Sequence, residues 1–429
     1  MDLRSFFGIL PPRILYRDAS SPVESIPLPE KVTLLWPGKP ASFLKVGVGE
    51  EVKTGQNLAK KKDLVFISPV SGQVEEVFTL PGLGRGEDLA ITIRVKEQDS
   101  YETSLEPVED FSKLKPMELR ELIMEAGFDD LSSISNVPAI WPQVDCLIIS
   151  ALDLDPISCS NRQAFQMNAE HLTDSVQLLL SATQAPRCVL AVPDDMMGHV
   201  PQNLPGDCTV AGVANVYPNG LREILAKEHG AGRLMESDGN GIRGNTVVVG
   251  AEHALAMAVS LRQGRPFVEK FVAVGGGENG QPKSFKVRIG TPVAHVLKEA
   301  GLSASPKGKL IINGIMRGYA CFSDQQPVTS STDCIHVQAQ GQVFFYQDIP
   351  CINCGKCDAI CPVDLAVGLL GRMAEYGKFE ECRDIGAQNC IDCGLCAYVC
   401  PAKRPLVHFI SNAKHAILLE ESKAGSGSI

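Results

Sequence analysis

Residues 390–406, CIDCGLCAYVCPAKRPL, crowd four thiols into one short run that closes on Cys400-Pro401. The same form occurs earlier, in CINCGKCDAICPVDL at 351–365. Each run reads Cys-x2-Cys-x2-Cys-x3-Cys-Pro. Three thiolates at this spacing wrap one corner of an iron–sulfur cube, and the intervening backbone N–H groups point at its sulfides. The fourth cysteine lies out of reach and ligates the other cluster. The spacing thus predicts two [4Fe-4S] clusters, one held by Cys351, Cys354, Cys357 and Cys400, the other by Cys390, Cys393, Cys396 and Cys361. Gly355 and Gly394 sit where a side chain would crowd the turn, and Pro362 and Pro401 stop the loop and start the next helix. Zinc also binds paired C-x2-C elements. The tandem repeat with its terminal Cys-Pro favours the cubes.

The bulk of the chain sets limits. At 429 residues it exceeds one ordinary core, so two to four domains are expected. Forty Lys and Arg against 50 Asp and Glu give a net charge of −10, which argues against nucleic acid as the main partner. Of 15 cysteines, those outside the two runs (Cys146, Cys159, Cys188, Cys208, Cys321, Cys334, Cys382) are scattered singly, which suits metal ligation in a reducing compartment better than a disulfide framework. No apolar run is long enough to span a membrane. The first residues, broken by two prolines and then charges, read poorly as a secretory signal. A cytoplasmic location follows as an expectation.

Outward from the cysteine runs, the fold class expected is multidomain, α/β and β. Residues 27–97 alternate short β-rich runs with glycine turns, as a small all-β unit does. The pair KVGVGEEVKTGQ and PVSGQV resembles the barrel-sandwich hybrid of lipoyl and biotinyl domains, which gives an N-terminal domain over 1–110. Lys60, Lys61 and Lys62 lack the hairpin-tip signature of a cofactor-bearing lysine and read as a solvated basic turn. Over 111–265, KPMELRELIMEAGF opens a helix with Pro116 in its first turn. Strands near 145–151, 188–193, 208–213 and 245–250 then alternate with helices at about 162–183, after Pro218 and from 251. That alternation predicts a parallel sheet covered on both faces.

Over 266–345 a β-hairpin, a helix and returning strands resemble an SLBB (β-grasp-like) domain. GGGENG at 275–280 lacks dinucleotide-loop spacing and reads as the hairpin turn. Residues 346–420 form the helical two-[4Fe-4S] ferredoxin-like domain. The insert between its runs reads as two helices with Cys382 structural, and 421–429 reads as a flexible tail. The helix from 405 either contacts a partner or packs on its own domain.

In this order the parts resemble one family, the C subunit of Rnf, the ion-translocating ferredoxin:NAD oxidoreductase. IPLPEKVTLL, LKVGVGEEVKTGQNLA with PVSGQV, VRIGTPVAHVLKEAG and the two cysteine runs carry the likeness over nearly the whole chain. The family's middle domain resembles the flavin-bearing subunit of respiratory complex I, with a GGAGFPT loop, an ECEP turn and a YPxGxE turn serving FMN and NADH. Here EAGFDDLSSISNVPAIW has no glycine cluster and sets Asp129 and Asp130 where an anion needs donors. ISALDLDPIS offers Asp153 and Asp155 for the glutamates and keeps Pro156. YPNGLREI has Leu221 after Gly220 and its acid only at Glu223. The last two segments, with their Asp-x-x-Pro and Pro-x-Gly-Leu, resemble instead the flavin-free middle domain of the A subunit of Nqr, the sodium-pumping NADH:quinone oxidoreductase.

The resemblance therefore implies an electron-wiring subunit whose flavin and NADH site is lost. Other subunits of a membrane-bound complex, with a ferredoxin or flavoprotein, are its expected partners, and its place is peripheral on the cytoplasmic side. The alternatives are an FMN-containing NADH-oxidising subunit with a variant loop, or a corrinoid reductase of the microcompartment relatives. No histidine or carboxylate sits in a catalytic pattern; His199, His253 and His408 read as ordinary residues. Lys403 and Arg404, taken to lie beside the second cluster, either raise its potential, dock an acidic ferredoxin-like partner or begin a solvated helix.

Overall fold

The computed structural model describes residues 13–60, 64–81, 87–102, 105–128, 144–206, 208–231, 236–238, 241–243, 245–277, 280–304, 307–343 and 349–426. Lys61, Lys62, Asp129 and Asp130 lie outside them. The chain divides into two compact units. The smaller gathers the residues up to Leu15, 216–218 and 343 onward; the larger holds 16–215 and 219–342.

Strand β1 (Ile14–Leu15) belongs to the smaller unit. In the larger unit, β2 (Val23–Ser25) is followed by β3 (Lys31–Trp36), β4 (Glu51–Val52), β5 (Gly72–Pro81) and β6 (Glu87–Val95). The last four make an antiparallel sheet ordered β3-β6-β5-β4. Successive strand side chains point to opposite faces, so Val32, Leu34 and Trp36 turn inward onto Phe66, Val74 and Ile91. Trp36 stacks on Phe66 at 4.5 Å. Lys60 is exposed.

Helix α1 (Pro116–Glu125) begins on proline, as expected, and the Glu118 carboxylate accepts the Lys115 backbone N–H (2.9 Å). Next come β7 (Cys146–Ser150), α2 (Ser160–Met167), α3 (Leu172–Thr183), β8 (Cys188–Pro193), β9 (Cys208–Val213), β10 (Val216–Tyr217, in the smaller unit), α4 (Arg222–Glu228), β11 (Glu236–Asp238), β12 (Gly241–Arg243), β13 (Thr246–Gly250) and α5 (Ala251–Gln263). Strands β13-β7-β8-β9 form an all-parallel sheet in that order. Both faces of β13, β7 and β8 are buried: Leu147, Ile149, Leu190 and Val249 pack with Leu119, Phe165, Val176 and Leu255, while Ile148, Val189 and Val248 pack with Leu225 and Ala226; the edge strand β9 is largely exposed. The single helix expected at 162–183 is two. The Asn168 side chain donates to the Ala164 carbonyl (3.0 Å) and its backbone leaves helical geometry at φ −126°, so a short 3-10 turn intervenes.

The third sheet uses β14 (Glu269–Gly276), β15 (Gly280–Arg288), β16 (Lys309–Ile312), β17 (Tyr319–Cys321) and β18 (Cys334–Gln338), ordered β17-β16-β18-β14-β15-β2. Helix α6 (Val293–Ala300) covers it through Val293, Val296 and Leu297. Strands β14 and β15 pair antiparallel with Gly276 opposite Gly280, and Glu278 and Asn279 of the expected turn lie outside the described residues. Gly276 has φ +98°, and a Cβ there would meet the Val337 carbonyl oxygen at 2.0 Å, so the bulge admits only glycine.

The smaller unit is helical: α7 (Lys356–Ile360), α8 (Val367–Glu375), α9 (Phe379–Asp384), α10 (Leu395–Val399) and α11 (Leu406–Ser426). Leu406, Ile410, Ala413 and Ile417 recur at helical spacing and bury against Leu370, Ala374 and Cys382. The C-terminal helix thus packs on its own module. The tail expected from 421 needs correction, because α11 continues to Ser426. Among the described residues no helix is long and apolar enough to cross a membrane.

Candidate metal centre

Both cysteine runs fold alike. Asn353 and Asp392, each two residues after the first thiol, take left-handed φ of 52° and 50°, and Gly355 and Gly394 take 70° and 78° before the short helices α7 and α10. Two left-handed residues so close turn the backbone around the thiols, and glycine adopts the second without strain. Backbone N–H groups then reach sulfur: Asn353 to Cys351, Leu365 to Cys361 and Arg404 to Cys400, each at 3.4 Å.

The thiols gather in two sets drawn across the runs. Cys351, Cys354, Cys357 and Cys400 line one cavity of about 200 Å³. Cys361, Cys390, Cys393 and Cys396 line a second, smaller one of about 20 Å³, whose other walls are Pro362, Gly394 and the apolar Val363, Leu365, Val367, Ile391, Val407 and Ile410. Each fourth cysteine therefore faces the opposite run's trio. Among the described residues no three His, Cys, Asp or Glu side chains converge at single-ion distance.

Burial disfavours the charged form of these thiols. Burial, with Asp358 adding to it, pushes the Cys357 thiol up to about 12; burial, with Asp392, does the same to Cys390. Cys396 is raised further, by burial and then by Cys393 and Cys390. Thiolates persist in such places only beside positive charge, which iron supplies. The donor set fits iron–sulfur clusters at both places and the first cavity has room for one, while the side chains around the second close down to a space of about one water. Cys382 lines neither cavity; it is fully buried and its thiol faces the Leu370 carbonyl at 3.9 Å.

Several side chains support the loops, and the sequence reading passed over them. Arg372 of α8 donates to Asn353 Oδ1 (3.2 Å). Lys414 of α11 donates to the Cys390 carbonyl and to Asp392 Oδ2, both at 2.6 Å, and Ser411 donates to Asp392 Oδ1 (2.7 Å). The Tyr217 hydroxyl of β10 donates to the Cys393 carbonyl (2.5 Å). The shared Asn/Asp place in the two runs was the available signal. Arg404 lines the cavity of Cys400, not the second one, and is committed to Glu375 and to the Ile349 carbonyl (3.0 Å). That corrects its placement beside the second cluster. The crossing of ligands already implied it.

The substituted middle-domain residues have structural duties. Asp155 Oδ1 accepts the N–H groups of Ile157 and Ile315 (3.2 Å each) and Oδ2 those of Met316 (2.8 Å) and Arg317 (3.2 Å). Asp153 accepts the Asn161 N–H (2.9 Å). Leu221 is fully buried, and Glu223 pairs with Arg317 at 3.7 Å. The start of α5 is occupied by Asn161, whose Oδ1 accepts the Glu252 N–H (3.1 Å). His253 is buried edge-on to Phe267, and burial pushes it down to about 3, so it stays neutral.

Residues 344–406 match a family model described as a 4Fe-4S dicluster domain. The C subunit of an ion-translocating oxidoreductase complex from Methanosarcina acetivorans is 29% identical, with 87% of this chain and 89% of that protein aligned. The C subunit of the Na(+)-translocating ferredoxin:NAD(+) oxidoreductase complex of Acetobacterium woodii is 26% identical over 97% of each. Among solved structures, NAD+-reducing [NiFe]-hydrogenase in its H2-reduced state aligns with 71% of this chain and 64% of its own at 14% identity, with a TM-score of 0.44. Over most of its length, then, the chain is similar to C subunits of ion-translocating oxidoreductase complexes, and its cysteine-rich part matches the dicluster domain.

Proposed function

We propose that this chain is an iron–sulfur electron-transfer subunit of a membrane-associated, Rnf-type oxidoreductase complex. Two [4Fe-4S] clusters, when bound, supply one-electron redox chemistry. Cys351, Cys354, Cys357 and Cys400 hold the first, and Cys390, Cys393, Cys396 and Cys361 the second. The observation that carries this reading is the crossing of the two runs, in which each trio of thiols shares its cavity with the fourth thiol of the other. The backbone N–H groups on Cys351, Cys361 and Cys400 steady the thiolates.

The middle domain carries no FMN and acts as scaffold. In favour of this, Asp155 spends its carboxylate on backbone N–H groups, one Asp153 oxygen accepts the Asn161 N–H, and Asn161 fills the helix start at which a phosphate would sit. Residues 1–110 serve as a barrel-sandwich hybrid, 111–265 as a degenerate flavin-subunit-like domain and 266–345 as an SLBB-like domain; the antiparallel β3–β6 sheet with its own core and the β14–β15–α6 order favour these assignments. Partner proteins of the complex attach the chain at the cytoplasmic face of the membrane.

Anaerobic purification and elemental analysis test the proposal. About eight irons with as many labile sulfides per chain, and no fluorescent flavin on denaturation, are expected. Zinc in place of iron overturns the cluster reading, and a stoichiometric flavin overturns the scaffold role.

A further inference from the structure

The two thiol loops share backbone and sequence pattern but differ in access and charge. The first is open: Ile352 is 61% exposed, and Asn353, Cys354, Gly355 and Lys356 are exposed with it. The second is closed, with Cys393, Gly394 and Cys396 buried and no charged side chain on its cavity wall.

Each left-handed residue is tethered by a cation from a neighbouring helix, with opposite electrostatic results. Arg372 donates to Asn353 Oδ1 and to the Gly368 carbonyl, both neutral, and among the described residues it has no carboxylate at ion-pair distance. Lys414 donates to Asp392, whose second oxygen Ser411 holds, so that positive charge is cancelled where it meets the loop. Around the open cavity Arg404 is cancelled by Glu375, leaving Lys356 and Arg372 against Asp358. The N–H···S contacts lean the same way: Cys351 and Cys400 of the open set each accept one, and among the described residues Cys361 alone of the enclosed set does.

Reduction adds one negative charge. Water and uncancelled cations stabilise that charge, while an apolar enclosure with a neutralised ion pair does not. We propose that the two cluster sites form an ordered pair, in which the open site flanked by Arg372 has the higher reduction potential and the enclosed site flanked by the Lys414–Asp392 ion pair the lower. With both clusters bound, these potentials would favour passage of one electron from the enclosed site to the open one. Asn353 and Arg372, with Asp392 and Lys414, are the positioning residues that set the order.

This inference rests on the two-cluster reading, and one preparation separates the two. A chain lacking iron fails the parent reading, whereas a chain with full iron tests this one. A redox titration of the full anaerobic protein followed by electron paramagnetic resonance is expected to give two waves. Arg372→Gln should lower the upper wave, a loss of about three- to tenfold in its reduction equilibrium, and leave the lower wave in place; Arg372→Lys should restore it. Asn353→Asp, which copies the second loop's ion pair, should lower the upper wave in the same way even if the Gln variant fails to load iron. Asp392→Asn should raise the lower wave and narrow the gap. Coincident waves in the parent protein overturn the proposal, as do shifts of the wrong wave in the Asn353 and Asp392 variants.

Discussion

Asp153 has a demanding environment. Its side chain is 1% exposed, one oxygen accepts the Asn161 N–H, and the other has no hydrogen-bond partner among the described residues. Burial raises the carboxyl to about 8, against the lowering pull of that hydrogen bond and of Arg162. The folded chain therefore holds a proton that the unfolded chain releases at about pH 4. The stability this group provides is complete below that pH and declines as pH rises toward 8, by at most about 1.4 kcal/mol per pH unit. Asp153→Asn should flatten the decline, read from denaturant unfolding at a series of pH values; an unchanged slope would refute the buried proton. Asp155, two residues on, carries four backbone N–H groups, and Gly314 leaves room for it, since a Cβ there would fall 1.9 Å from its carboxyl carbon. The sequence offered both aspartates only as replacements for a cofactor motif. The partners of Asp155 at 315–317 lie more than a hundred places away, and a local pattern does not encode them.

Among elements, α11 was legible as a helix but not in its partner. Its apolar residues at helical spacing say that one face is covered; what covers it is decided by α8 and α9, whose Leu370, Ala374 and Cys382 meet Ile410 and Ile417. Ile410→Ala removes a 1%-exposed side chain from that seam and should cost about 2–5 kcal/mol. Thermal bleaching of the visible absorbance in the loaded protein should then occur at a lower temperature, and an unaltered midpoint would place α11 elsewhere. The parallel sheet was legible because four apolar runs separated by helical segments have few other solutions. The break at Asn168 was not, because a side-chain hydrogen bond to Ala164 competes with helix propagation at one residue. The cation tethers were hidden for a related reason. Arg372 and Lys414 sit on helices whose approach to the loops is a tertiary fact, although the matched Asn353 and Asp392 marked the place they reach.

At the scale of the molecule, the cores assign cofactor dependence unequally. Cys361 and Cys396 are members of the smaller unit's apolar core, while the larger unit's cores contain none of the eight run cysteines. Stripping iron from the full chain with a chelator should open the smaller unit first, so limited proteolysis should cut within 351–405 and spare 146–338; equal cutting of both would deny the separation. The order of parts along the chain was readable, but the stitching was not. Strand β1 pairs antiparallel with β10, Ile14 facing Tyr217 and Leu15 facing Val216, and Tyr217 also reaches the Cys393 carbonyl. A two-residue strand has no period to read. Its consequence concerns synthesis. Ile14, Tyr217 and Cys393 leave the ribosome in that order, so at about 5–20 residues per second the first of these waits tens of seconds for the last. The second set of thiols thereby gains this support only once the chain through 393 has emerged, and a nascent chain cut short of it offers no finished receptacle.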